Sequence, residues 1–251
     1  MERKIALVTG CSKGIGLELC KVLAAKGYDV LGAARSAPPE GFPGTWIASD
    51  ITLAADREQL AAALRARGGR LDLLANNAGV GMYATWAEAD EQEMRALFEL
   101  NFFAMVALTK LLLPELKSVR GTVLNISSVA ERLSVPCMGA YCASKHAVGA
   151  FSATLRMELA PMGVRVVNAV LGRIATGFSN QAYGGRRVPD SPAPANATRT
   201  AQRVFAACER GKSEIVYPRW YRAIVLIARW FPGLYARRNA ELWGLKNPSR
   251  N

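Results

Sequence analysis

Short apolar runs alternate with stretches of helical spacing along most of this chain. The runs at 4–9, 29–34, 45–49, 71–75, 121–126 and 164–170 are rich in Val, Ile and Leu, the pattern of strands buried on both faces. Between them, 15–26, 55–67, 90–119 and 140–160 carry apolar residues three and four apart, and Gly27 stops the first of these helices. Strands separated by helices of this length predict right-handed crossovers and a parallel sheet with helices on both faces, a doubly wound α/β fold. Residues 178–197, rich in Gly, Pro, Asn and Arg, read as a loop or lid. A helix over 200–209 and a strand over 214–217 complete the sheet, so 1–218 forms one domain. Residues 219–251 form a C-terminal helical extension, not an independent domain.

Composition adds limits to this picture. At 251 residues, 51% hydrophobic and 21% charged, the chain is long enough for one large α/β domain and too apolar for disorder. The first strand-like run begins at Lys4, which predicts no cleavable signal peptide and a cytoplasmic location. The five cysteines, Cys11, Cys20, Cys137, Cys142 and Cys208, make neither a Cys-x-x-Cys pair nor a cluster with the only histidine, His146, so no metal site is expected. Cys137 and Cys142 are placed to line the active site or simply to pack. His146 stands on a different helix face from Lys145 and is given no role.

The first chemical signal follows the first strand. Gly10-Cys11-Ser12-Lys13-Gly14-Ile15-Gly16 opens the first helix. Its glycines permit a tight turn and close backbone approach, and the helix N-terminus offers free N–H groups to a pyrophosphate. A strand, a glycine turn and a helix in this order make the sheet Rossmann-type. The second strand ends at Arg35 without an acid to accept from a ribose hydroxyl; Arg35 and Lys13 suit a 2′-phosphate. NADPH or NADP+ is therefore expected over NADH.

A second signal lies in the last long helix. Tyr141 and Lys145 fall one turn apart, so the ammonium is expected to favour phenolate and bring the Tyr pKa toward neutrality. Ser128, thirteen residues upstream, supplies a polariser for a reacting oxygen.

Taken in order, these motifs resemble the classical short-chain dehydrogenase/reductase family over nearly all of residues 4–217. The glycine turn has the family's Thr-Gly-x-x-x-Gly-x-Gly form, and Asn76-Asn77-Ala78-Gly79 follows the fourth strand. The resemblance implies that Asp50 and Ile51 contact adenine and that Asn76, Ala78 and Gly79 border the coenzyme. It also implies that Ile174 and Thr176 hold the nicotinamide amide, and that Asn101, Ser128, Tyr141 and Lys145 form the catalytic set. In that set Ser128 binds the substrate oxygen, Tyr141 passes the proton, Lys145 tunes Tyr141 and holds the ribose, and Asn101 maintains a water path to Lys145. Three departures stand out: Leu171-Gly172 for the family's Pro-Gly, Glu131 where Gly is usual, and Phe102-Phe103-Ala104 after Asn101. Glu131 is expected to place a carboxylate near the pocket mouth.

The implied activity is NADPH-dependent interconversion of a carbonyl and an alcohol on an apolar small molecule, in the reductive direction. Two rivals are an alcohol dehydrogenase acting oxidatively on a lipid-like or steroid-like alcohol, and a non-catalytic coenzyme-sensing regulator. The family's subunit pairing implies a homodimer or homotetramer. In the lid, Phe178 and Tyr183 are placed to cover an apolar ligand, and Arg186 and Arg187 to meet an anionic group.

The net charge of +12 is uneven: 199–251 holds eleven Lys/Arg against three acids. Without a nucleic-acid motif, this is not expected to bind DNA or RNA. Trp220, Ile224, Ile227 and Phe231 make an apolar stripe, with Arg222 and Arg229 on another face and Pro232-Gly233 as a break. Such a tail fits peripheral contact with an anionic membrane, a cap on the substrate pocket, or a subunit interface.

Overall fold

The computed structural model describes residues 3–189 and 194–245. Strands β1 (Ile5–Thr9), β2 (Asp29–Ala34), β3 (Thr45–Ala48), β4 (Leu73–Asn76), β5 (Thr122–Ser128), β6 (Arg165–Leu171) and β9 (Glu214–Tyr217) form one sheet in the order β3-β2-β1-β4-β5-β6-β9. Every pairing is parallel. The strand order reverses between β1 and β4, and the carboxyl ends flanking that point open a crevice for a ligand.

Two apolar clusters sandwich the sheet. One packs Leu7, Leu31, Leu74 and Val123 against α2 (Ala54–Arg65), α4 (Ala104–Leu111) and α6 (Gly139–Leu159). The other packs Val8, Val30, Ala75 and Leu124 against α1 (Gly14–Ala25) and α7 (Ala197–Glu209). Alternate residues of each strand thus feed opposite layers, which explains the unbroken hydrophobic runs.

The single helix expected over 90–119 is divided. It comprises α3 (Glu91–Phe98), a π turn (Glu99–Phe103), α4 and α5 (Leu113–Ser118). Pro114 lies in the first turn of α5, where its missing N–H costs nothing, and it sets the break there. The π turn places Asn101 inward, and such single-turn insertions are found mostly at functional sites.

The expected loop over 178–197 is tied at both ends. β7 (Ile174–Ala175) pairs in parallel with β8 (Ala195–Asn196), and a 3-10 turn covers Phe178–Gln181. Beyond β9, α8 (Tyr221–Trp230) and α9 (Pro232–Leu242) make up the extension. Residues 190–193 of the expected lid and 246–251 of the expected tail lie outside the described residues.

Candidate active site

The glycine turn sits over the carboxyl end of β1. Gly10 and Gly14 have φ of +67° and +58°, a left-handed backbone that favours glycine. A Cβ on Gly16 would lie 2.2 Å from the Gly10 carbonyl oxygen and 2.5 Å from Asn77 Nδ2, so the helix can approach the strand only without a side chain there. Lys13 occupies the N-cap of α1 in extended conformation with no side-chain cap, leaving the first amides for a ligand. This cradle fits a dinucleotide pyrophosphate.

Two residues outside the expected coenzyme set brace the cradle. Thr9 Oγ1 accepts from the amides of Asn77 and Ala78, both at 3.0 Å, while Asn77 Nδ2 donates to the carbonyls of Thr9 (2.9 Å) and Gly10 (3.1 Å). Asn76 itself departs from expectation, because its side chain turns into the core. It donates to Thr109 Oγ1 (3.0 Å) and Asn125 Oδ1 (2.9 Å), and Asn125 donates on to Ser152 Oγ at 2.9 Å. A buried amide committed to this chain braces β4 and β5 and does not reach into the crevice.

At the far end of the crevice the ends of β2 and β3 carry Arg35 and Asp50. Arg35 Nη1 lies 3.9 Å from Asp50 Oδ2, and its side chain is 71% exposed. Asp50 Oδ1 accepts from the Thr52 amide and hydroxyl, which fixes the turn that buries Ile51. A weakly held, exposed guanidinium at this place can meet a phosphate.

The four residues expected to form the catalytic set converge from three elements. Ser128 ends β5, and its Oγ accepts from the Ala130 amide at 3.1 Å. Tyr141 and Lys145 lie on α6, both buried, with Lys145 Nζ 5.8 Å from the Tyr141 ring centroid and donating to the Ile126 carbonyl at 3.1 Å. Asn101 accepts from the Val80 amide (2.8 Å) and donates to the Val80 carbonyl (2.9 Å) and Ser144 Oγ (3.2 Å). A Cβ on Gly79 would fall 3.0 Å from Asn101 Oδ1 and 3.9 Å from Lys145 Nζ, so glycine lets these groups gather.

Electrostatics in this cluster differ from the expectation drawn from spacing. Burial pushes the Tyr141 phenol above its ordinary pKa, opposed by a hydrogen bond with the Ser128 side chain. Burial lowers the Lys145 pKa to about 8, opposed by the negative charge of Glu131. Desolvation is the largest cause for both groups, and it favours the neutral phenol at Tyr141. Phe178 covers it, ring centroids 6.0 Å apart.

Glu131 is not at the pocket mouth. Its carboxylate is buried between β5, β6 and α6, accepting from Ser127 Oγ at 2.6 Å and Asn168 Nδ2 at 3.0 and 3.1 Å. These donors and Arg132 Nε, at 3.2 Å, satisfy the charge inside the protein. Arg186 likewise turns from any ligand: it forms a two-pronged ion pair with Glu88, both contacts 2.6 Å, that clamps the lid. Cys137 and Cys142 are buried free thiols.

Gly172, the glycine kept from the family's Pro-Gly, packs against the extension, whereas nothing in the structure explains Leu171. A Cβ on Gly172 would stand 1.8 Å from Tyr221 Cε2, and the Tyr221 hydroxyl accepts from the Arg173 amide at 3.2 Å. Gly172 is thus the seat of α8. Gly172→Val is expected to lower stability by about 1–3 kcal/mol through overpacking, read as a lower denaturation midpoint with an unchanged slope. Thr176, nearby, would contact a Cβ on Gly14 at 3.0 Å, which puts it over the glycine turn. The extension also reaches the catalytic end. Trp243 packs on Tyr83 at 6.2 Å between ring centroids, and burial raises the Tyr235 pKa to about 12, with Cys142 beside it.

A parallel sheet with a phosphate cradle at its switch point, and a Ser, Tyr, Lys and Asn cluster beside it, define a dinucleotide-dependent oxidoreductase. The chain matches the family model described as short chain dehydrogenase over residues 4–186, and it belongs to that family. It is 34% identical over 253 residues to the uncharacterized oxidoreductase YbbO of Escherichia coli, covering 92% of this chain and 91% of the relative. To the 3-ketodihydrosphingosine reductase of Bacteroides thetaiotaomicron it is 33% identical over 181 residues, 72% and 67% of the two chains. A short chain dehydrogenase from Burkholderia cenocepacia in complex with NADP superposes with a TM-score of 0.80 at 29% identity, covering 98% and 99%. The protein is an NAD(P)-dependent oxidoreductase acting between CH–OH and C=O groups.

Proposed function

We propose that this protein reduces an apolar carbonyl compound with NADPH, using Tyr141 as the proton donor. The observation that carries the reading is the cluster in which Tyr141 hydrogen-bonds Ser128 and has Lys145 5.8 Å from its ring, so that a neutral phenol can donate to an oxygen held by Ser128. NADPH, when bound, supplies the hydride for the carbonyl carbon. Gly10, Ser12, Lys13, Gly14, Ile15 and Gly16 hold its pyrophosphate, Arg35 with Lys13 its 2′-phosphate, and Asp50 and Ile51 its adenine. Ala78, Gly79, Ile174 and Thr176 line the rest of its path.

Ser128 donates to the carbonyl oxygen and orients it toward Tyr141. Tyr141 Oη then gives its proton to that oxygen as negative charge develops there. With Lys145 close to the ring and a pKa near neutrality, the phenolate left behind faces a proton source. Asn101, anchored on Val80, holds the loop that borders Lys145. The aromatic roof of Phe178, Tyr83 and Trp243 favours an apolar substrate. The relative named 3-ketodihydrosphingosine reductase supports reduction of a ketone, and the NADP complex of the B. cenocepacia structure supports the coenzyme. Pairing of two copies through the exposed Phe103 on the α3–α4 face is part of the same reading.

A panel of carbonyls and alcohols followed at the NADPH absorbance tests the reaction; a panel with no turnover would refute it. For the coenzyme, Arg35→Ala is expected to raise the KM for NADPH roughly ten- to hundredfold, the worth of a charge-assisted contact, and leave that for NADH nearly unchanged. Equal effects on both coenzymes would remove the 2′-phosphate assignment.

A further inference from the structure

The extension has two apolar faces, and the fold uses only one. On α8, Tyr221, Ile224, Val225 and Ala228 turn toward the body, where Tyr221 seats on Gly172. The other side remains outward: Leu226 is 57% exposed, Trp230 72% and Phe231 63%, and Leu234 at the start of α9 is 65% exposed. The stripe expected from the sequence is therefore divided, with Ile224 drawn partly inward and Trp220, Ile227 and Phe231 left outside. At 100° per residue, Leu226, Ala223, Trp230 and Ile227 make one continuous arc, with Arg222 and Arg229 together along its edge.

Charge narrows the choice of occupant. From Arg219 onward the chain carries seven Lys/Arg and one acid. Among the described residues, Arg219, Arg222 and Arg229 are exposed and have no carboxylate partner. A second copy docking on this face by two-fold symmetry would bring these cations against each other. Nucleic acid would leave the apolar arc in water. An anionic lipid surface satisfies both halves at once, taking the apolar arc at the boundary between headgroups and acyl chains and the guanidinium groups at the phosphates. Among the described residues no helix is long and apolar enough to cross a membrane.

We propose that α8 and the start of α9 dock this protein on an anionic membrane surface, with the Leu226, Trp230, Phe231 and Leu234 side chains in the lipid interface. The inward sides of these helices meet Gly172, Tyr83 and Cys142 beside the catalytic cleft. Docking therefore holds the cleft close to the lipid, which, on the reductase reading, is where a lipophilic carbonyl compound is concentrated.

Flotation of the full chain with vesicles of phosphatidylcholine alone, or mixed with phosphatidylglycerol, tests docking without reference to turnover. The parent is expected to float with the mixed vesicles, less with neutral ones, and to be released in part by high salt. Leu226→Ser combined with Trp230→Ser should lower the bound fraction on the order of tenfold or more, since two large apolar contacts are lost. Both positions face solvent, and an unchanged thermal midpoint certifies the fold of the variant. Arg222→Gln with Arg229→Gln, a second variant, should remove the preference for phosphatidylglycerol. Failure of the parent to float, or equal flotation of the apolar variant, would overturn the proposal. So would a parent oligomer that the apolar variant splits into monomers, because the face would then belong to a second copy.

Discussion

Tyr141→Phe is expected to lower kcat by about two to four orders of magnitude, the range measured when a positioned acid is lost. The substitution deletes one oxygen atom from a ring that stays buried. Phe retains the contact with Phe178 and gives up only the hydrogen bond with Ser128, so the cost in stability is about 1 kcal/mol. The coenzyme cradle at Gly10 to Gly16 and the Arg35 end lie on other elements, and NADPH binding followed by fluorescence should change by less than about fivefold, the scale of one lost hydrogen bond. The combination is diagnostic, because a structural role for Tyr141 would lower binding, stability and turnover together. A variant that keeps a tenth or more of the parent rate would remove Tyr141 from proton transfer and pass that role to a solvent path.

Much of this site is legible in the sequence, and the reason is local. The glycine turn and the Tyr141 to Lys145 spacing depend on backbone conformations that a few adjacent residues impose. The strand runs are equally direct, because parallel strands covered on both faces need apolar residues at every position. The parts that escaped the sequence are choices of partner. Nothing around Glu131 says that its carboxylate will turn inward to Ser127 and Asn168, residues four and thirty-seven positions away. Arg186 looked available for a ligand until Glu88, ninety-eight positions distant, met it. The π turn at Asn101 has no residue signature, since its cause is the set of bonds from Asn101 to Val80 and Ser144. Gly172 was visible as part of the Leu171-Gly172 pair, yet its packing partner Tyr221 lies forty-nine positions on, in α8.

Lys145→Met is expected to make the protein more stable near pH 7 while abolishing most of its activity. Lys145 is 6% exposed, and burial lowers its pKa from 10.5 to about 8. Below pH 8 the folded and unfolded chains both carry the charged ammonium, and the folded chain bears the full cost of burying it. That cost is about 3 kcal/mol from the size of the shift. Between pH 8 and 10.5 the unfolded chain binds more protons than the folded one, so stability rises with pH and the cost disappears. Methionine fills a similar volume without a charge, but it leaves the Ile126 carbonyl without its donor and removes the attraction between the ammonium and Glu131, which returns roughly 1–2 kcal/mol. A net gain of about 1–2 kcal/mol corresponds to a midpoint higher by roughly 2–8 °C at pH 7 for a chain of this size. The gain should shrink as pH is raised above 8 and reverse above 10.5, where only the lost contacts remain. Thermal melts of parent and variant across that range, without added coenzyme, measure it directly. A variant less stable than the parent at pH 7 would mean that Glu131 neutralises the buried ammonium more fully than the lowered pKa implies, and Lys145 would then stabilise the fold as well as serve Tyr141.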